Sequence, residues 1–182
     1  MRCLYCDTTY AYDEGRTMSM TGILSAIAAF PCNLVEITGG EPLLQNRTPE
    51  LIERLLDQGH HVLLETNGSM DIRCVDPRCI KIVDIKCPGS GEHAKCNLQN
   101  LQHLAAHDQL KFVISDRNDY DYARNIIRKI SSDVPNGNIL LSPVKEKLDS
   151  STLADWIVAD GMGARLHLQL HKILWPHVQR GV

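Results

Sequence analysis

The chain has 182 residues, 43% of them apolar and 23% charged. That is one ordinary domain with chain enough for a sizeable core, and it excludes disorder, collagen-like structure and coiled coil for the bulk. Nineteen basic against 22 acidic residues give a formal charge of −3, which argues against a broad nucleic-acid-binding face. No apolar run reaches the length of a membrane span, and Met1-Arg2-Cys3 opens no signal-peptide core, so a cytoplasmic protein is expected.

In chain order, Leu34 to Thr38 reads as a strand that ends in Gly39-Gly40. Thr48 caps a helix with Pro49 at its first position and Leu51, Ile52, Leu55 and Leu56 along one side; Gly59 closes it. His61 to Glu65 is the next strand, before Asn67-Gly68, and Ile80 to Ile85 another, before Pro88-Gly89. Leu98 to Ala106 reads as helical and Leu110 to Ile114 as extended. Ala123, Ile126, Ile127 and Ile130 form a helical stripe within Asp119 to Ile130. Ile139 to Leu141 is extended, Thr152 to Ala159 helical, and Arg165 to Leu170 a last strand. Six such alternations, with no internal linker, predict an α/β fold of parallel strands joined by right-handed crossovers, buried on both faces or curled toward a barrel. Polar clusters follow the apolar runs at Thr38 to Glu41, Glu65 to Gly68, Asp84 to Lys86 and Ser142-Pro143. Ligands in parallel α/β folds sit at the carboxyl ends of strands, so these clusters are expected to share one mouth.

The cysteines number seven. An odd count without an export signal argues against a disulfide framework. Cys32 reads as a small buried hydrophobe. Cys3 and Cys6 form a C-x-x-C pair, a spacing used by zinc, iron–sulfur and dithiol redox sites alike. No second C-x-x-C exists, and Cys74 and Cys79 would have to be recruited for zinc. The Gly39-Gly40-Glu41 segment leaves backbone groups open to a close ligand and suits the amine and carboxylate of an amino-acid moiety; the spacing of a phosphate loop is absent.

The cysteine pair in RCLYCDTTY (2–10), followed by TGGEPLLQ (38–45), resembles the radical S-adenosylmethionine superfamily. With LETNGS (64–69), DIKCPGSGE (84–92), LKFVIS (110–115), LSPV (141–144) and LQLHKILWP (168–176), the chain is similar to the 7-carboxy-7-deazaguanine synthases from end to end. That resemblance implies a partial (β/α)6 barrel, one core domain over residues 1–182 whose N-terminal segment is short of the family's, so that the first strand and the first of three cluster cysteines are expected to be missing or incomplete. It implies a [4Fe–4S] cluster, S-adenosylmethionine and Mg²⁺. The implied reaction is ring contraction of 6-carboxy-5,6,7,8-tetrahydropterin to 7-carboxy-7-deazaguanine with release of ammonia. A reductant such as flavodoxin or ferredoxin and a homodimer are implied as well, with no nucleic acid and no membrane as partner.

By the same resemblance Cys3 and Cys6 are cluster ligands and Thr8 a Mg²⁺ ligand. Tyr5, Cys6, Asp7, Gly39, Gly40, Glu41, Gly68, Asp84, Ile85, Lys86, Ser142, Pro143, Val144 and Lys145 fall in cofactor-binding stretches. Thr66, His171 and Pro176 are implied substrate contacts. Strand alternation, taken alone, puts Gln169 and His171 on one face of the last strand. The resemblance singles out no general acid or base. Two rivals stay open: an activase for glycyl-radical enzymes, which would show further cluster cysteines, and a non-enzymatic protein without a cluster.

Overall fold

The structure is a computed structural model that describes residues 1–12, 15–130 and 133–178. Six strands, β1 (Leu34–Ile37), β2 (His61–Thr66), β3 (Ile80–Ile85), β4 (Gln109–Ile114), β5 (Ile139–Pro143) and β6 (Arg165–Leu166), pair in chain order, every neighbour parallel. Each strand is added on the same side of the last, which is the winding of a barrel; a doubly wound sheet reverses its order midway. Among the described residues no pairing joins β6 back to β1, so the sheet is an open, partial barrel. No described helix is long and apolar enough to cross a membrane.

In β2 and β4 one face is dry and the other half-exposed, and the sequence sets which is which, whereas β3 and β5 are buried almost throughout. Val62, Leu64 and Thr66 of β2, and Leu110, Phe112 and Ile114 of β4, are buried against the helices, while the residues between them are half-exposed. The helices are α1 (Met20–Ala28), α2 (Thr48–Asp57), α3 (Arg117–Lys129), α4 (Ser150–Ala159) and the single turn α5 (His171–Leu174). Ile52 and Leu55 of α2, Tyr120 and Ala123 of α3, and Leu153 and Ile157 of α4 complete the core. Each such aliphatic or aromatic side chain contributes roughly 1.5–3 kcal/mol relative to exposure. Tyr120 also donates its hydroxyl to the Trp156 carbonyl at 2.8 Å, locking α3 to α4.

Several expectations need correction. α1 lies where the sequence reading placed no element; Ser19 caps it by accepting from the Gly22 N–H at 3.1 Å. Thr48 does not cap α2 but is its first residue, and its hydroxyl donates to the Pro42 carbonyl at 2.6 Å. The helix expected over residues 98–106 is a 3₁₀ segment, Leu98–His103. The cause is Asn100, which occupies a buried position and spends its amide on the Gly68 and Met70 carbonyls while accepting from the Ile72 N–H. The crossovers from β2 to β3 and from β3 to β4 are accordingly made of 3₁₀ turns and loop without an α-helix. The last strand ends at Leu166; His167 still donates its N–H to the Leu141 carbonyl, but Leu170 is already helical and His171 opens α5. Strand alternation therefore does not govern Gln169 and His171.

Two buried acidic residues organise the ends of the sheet. At the amino end, Asp108 accepts from the Lys81 and Ala105 N–H groups, both at 2.8 Å, and pairs with the Lys81 ammonium at 3.1 Å. At the carboxyl end, Asp119 accepts from the Gly89 N–H at 2.7 Å and from the Ser115 N–H and hydroxyl. It thereby pins the Cys87 to Ser90 turn to the start of α3.

Candidate active site

The carboxyl ends of all six strands open into one cavity of about 780 Å³. Thr38, Gly39 and Gly40 line it from the end of β1, and Glu65 and Asn67 from β2. Asp84 and Lys86 line it from β3, Lys111 and Val113 from β4, and Val144 to Glu146 from the loop after β5. The segment after β6 adds Gln169, His171, Lys172, Trp175, Pro176 and Val178. The N-terminal loop closes one side with Cys3 and residues 5–10 and Tyr12.

The loop is positioned by its backbone. The Leu4 N–H donates to the Ser90 carbonyl at 3.1 Å, and the Cys6 N–H turns back to the Cys3 carbonyl at 3.2 Å, so both thiols are held on the cavity side. Burial pushes the Cys3 thiol up, against the pull of the nearby Lys86 ammonium. Burial also acts to raise Cys6, but hydrogen bonds from Tyr12 and Thr8 outweigh it and the net displacement is downward. A thiol with a lowered pKa is the more ready donor to a metal. Tyr5 is pushed well above the usual phenol range by burial and by the Asp84 charge.

Lysine–carboxylate pairs line the floor. Lys86 Nζ donates to Asp84 Oδ2, and Lys111 Nζ to Glu65 Oε1, both at 2.6 Å. Burial lowers Lys86, but Asp84 beside it reverses the direction and holds the ammonium in its charged form; Lys111 is displaced upward for the same reason, by Asp84 and Glu65. The register pairs Asp84 with Lys111 directly, so alternation alone puts both on the open face.

The other residues singled out in the sequence divide into wall and support. Glu41 is buried behind Gly39-Gly40, where its carboxylate accepts from the Leu43 N–H (3.1 Å), the Thr66 hydroxyl (2.9 Å) and the Asn67 N–H (2.9 Å). Thr66 is buried beside it and accepts from the Gly68 N–H at 3.2 Å. Gly68 has φ of +70°, and a Cβ there would stand 3.1 Å from the Val83 side chain. Ile85, Ser142 and Pro143 are buried in β3 and β5. None of these six lines the cavity; they carry the loops that do. Tyr5, Cys6, Asp7, Thr8, Gly39, Gly40, Asp84, Lys86, Val144, Lys145, His171 and Pro176 do line it. Asn67 lines it as part of the strand-end cluster expected there, while Lys111, Val113 and Trp175 line it without having been given a role; the alternation of β4 could have found the first two.

The donor set bears on an iron–sulfur cluster. Cys3 and Cys6 are free thiols on the cavity wall. Among the described residues no group of three or more His, Cys, Asp or Glu side chains could hold a metal ion. The pair thus fits two thiolate positions of a cluster and does not by itself make up the three that S-adenosylmethionine chemistry implies. Thr8 Oγ1 lies 3.6 Å from Cys6 Sγ on the same wall, one hard oxygen of the kind Mg²⁺ takes.

Residues 1–84 match the radical SAM superfamily. The chain is 40% identical to a 7-carboxy-7-deazaguanine synthase of Koribacter versatilis over 198 aligned positions, covering all of this chain and 87% of the relative. The chain belongs to the 7-carboxy-7-deazaguanine synthase family. A synthase of Chlorobaculum tepidum is 39% identical, with 99% of this chain and 83% of that one covered. The crystal structure of QueE from Escherichia coli shares the fold: TM-score 0.72 at 20% identity, over 92% of this chain and 79% of that one. The shared fold matches the parallel, barrel-like sheet of this chain.

Proposed function

We propose that this chain, as one core domain, binds a [4Fe–4S] cluster, S-adenosylmethionine and a pterin in the cavity at the strand ends. The reaction is ring contraction of 6-carboxy-5,6,7,8-tetrahydropterin to 7-carboxy-7-deazaguanine, with release of ammonia. The observation that carries this reading is that the Cys3–Cys6 loop and Gly39-Gly40 line the same cavity, in a chain of this family. Cluster and S-adenosylmethionine together supply the one-electron chemistry that starts hydrogen abstraction. The chain's own residues bind, orient and exclude water.

The free backbone of Gly39 and Gly40 suits the amino-acid end of S-adenosylmethionine, and Asp84 suits hydroxyls of its ribose. Val144 and Lys145 bound the same space. Glu41 and Thr66 act from behind, holding the two loops in register. On the substrate side His171 and Pro176 face the cavity from the segment after β6, and Thr8 would supply one hydroxyl oxygen toward a Mg²⁺ ion, which would offer charge stabilisation to substrate oxygens. An external reductant such as flavodoxin or ferredoxin and a homodimeric assembly complete the reading.

The test is anaerobic reconstitution with iron and sulfide, followed by incubation with S-adenosylmethionine, dithionite and the tetrahydropterin. Formation of 7-carboxy-7-deazaguanine and ammonia by mass spectrometry is expected. Cleavage of S-adenosylmethionine with the pterin untouched would assign the chain to a different radical reaction. The two-thiolate donor set favours one second reading, an inactive homologue. It is recognised by pterin and S-adenosylmethionine binding with no iron retained.

A further inference from the structure

We propose that Asp7 is a positioning residue whose carboxylate ties the strap of residues 167–178 to the cysteine loop, so that ordering either one favours order in the other. The consequence for turnover rests on the reading of the cavity as a reaction site; the tie itself rests on geometry alone. Asp7 Oδ2 accepts from Gln169 Nε2 at 3.2 Å, lies 3.2 Å from Lys172 Nζ, and lies 3.6 Å from His171 Nε2. Two donors, Gln169 and Lys172, thus converge on one oxygen with the His171 ring beside them, one residue beyond Cys6.

The strap has little else to hold it in shape. α5 is a single turn, far below the length at which a helix is stable by itself. The strap's apolar side chains Leu170, Ile173 and Leu174 are 61%, 54% and 60% exposed, so their burial contributes little to its attachment. Among the described residues, bonds reach it from the body at His167 N–H to the Leu141 carbonyl, at its root, and at Lys145 Nζ to the Lys172 carbonyl at 3.0 Å. An isolated surface ion pair is worth little, but a carboxylate shared by several donors acts as a network. The strap and the loop each supply a wall of the same cavity, and Asp7 is where the walls meet. Coupling of this kind is reciprocal: whatever orders the loop tightens the strap, and a ligand under the strap tightens the loop.

The test uses the full chain without cluster or ligand, so it does not depend on activity. The protein has two tryptophans, and Trp156→Phe leaves Trp175, on the strap, as the reporter. Asp7→Asn and Lys172→Met are each expected to raise acrylamide quenching of Trp175 about two- to fivefold, and the double variant no further than the single ones, since all three break one tie. Hydrogen exchange of the chain with both tryptophans intact is the second readout. Lys172→Met is expected to raise exchange at residues 3–10, and Asp7→Asn at residues 167–178, while Asp7→Glu stays near the unmodified chain. Quenching and exchange unchanged in both variants, or additive effects in the double variant, would overturn the tie. Loss of pterin turnover in the unmodified chain would count against the proposed function and leave these readouts as they stand.

Discussion

Glu36 and Glu65 stand diagonally across β1 and β2, close enough to share a hydrogen bond, and Lys111 gives its proton donor to Glu65. One lysine does not serve two carboxylates equally. Partial desolvation of this surface-exposed side chain by its neighbours, reinforced by the Glu65 charge, pushes the Glu36 carboxyl above its ordinary range. A carboxyl raised in the fold holds a proton that the unfolded chain has already released. Its ionisation therefore lowers stability as pH rises from the ordinary glutamate value of about 4.3 through the raised one, and the cost is constant above that. Glu36→Gln is expected to raise the unfolding midpoint at pH 7, with a gain that fades below about pH 4. Melting curves across that range check it; a gain independent of pH would show that the charge is not the cause. At this scale the sequence was informative about backbone loops and less so about charge. Gly39, Gly40 and Asp84 sit at visible strand ends, whereas the pairing of Lys111 with Glu65 depends on a register between strands 46 positions apart in sequence.

Between β3 and β4 the chain replaces a crossover helix with turns, and one glycine makes that possible. A Cβ on Gly89 would press on Ser115 Oγ and Asp119 Oδ2, the groups that fix this turn to α3. Gly89→Ala must displace either the turn or the buried Asp119, at a cost of about 1–3 kcal/mol. The expected result is a lower urea midpoint, accompanied by faster exchange at the Leu4 N–H, because the Ser90 carbonyl that receives it moves with the turn. An unchanged midpoint would mean that the turn yields freely. Helices with an apolar stripe, such as α3, and strands bounded by glycine were legible. The 3₁₀ segments were not: Asn100 breaks the helix through bonds to Gly68 and Met70, some thirty residues back, which no local pattern reveals. α1 was missed because its apolar residues lie beside small ones, with only Met20 fully buried.

One buried ion pair sits at the end of the sheet away from the cavity. The Lys81–Asp108 pair lies at the amino ends of β3 and β4, both partners almost wholly buried, whereas every strand's carboxyl end faces the cavity. Removing one member of such a pair leaves the other charge uncompensated, about 3–5 kcal/mol. Lys81→Met is expected to lower stability by that order while the dissociation constant for S-adenosylmethionine, measured by calorimetry below the unfolding transition, stays within about twofold. A parallel loss of affinity would show that the two ends are mechanically linked. The parallel α/β class was legible from the six alternations, and so was the common mouth, because a parallel sheet has only one carboxyl edge; alternation left open whether the sheet curls, and only the family resemblance implied the barrel winding.

The cavity wall carries Lys86, Lys111, Lys145 and Lys172 against Asp7, Glu65, Asp84 and Glu146. Among the described residues these charged side chains are equal in number, so beyond a Debye length of about 8–10 Å their fields largely cancel. Arriving anions are thus neither drawn in nor turned away at long range. Discrimination is deferred to the moment of contact, when an incoming group must exchange places with a lysine's existing partner.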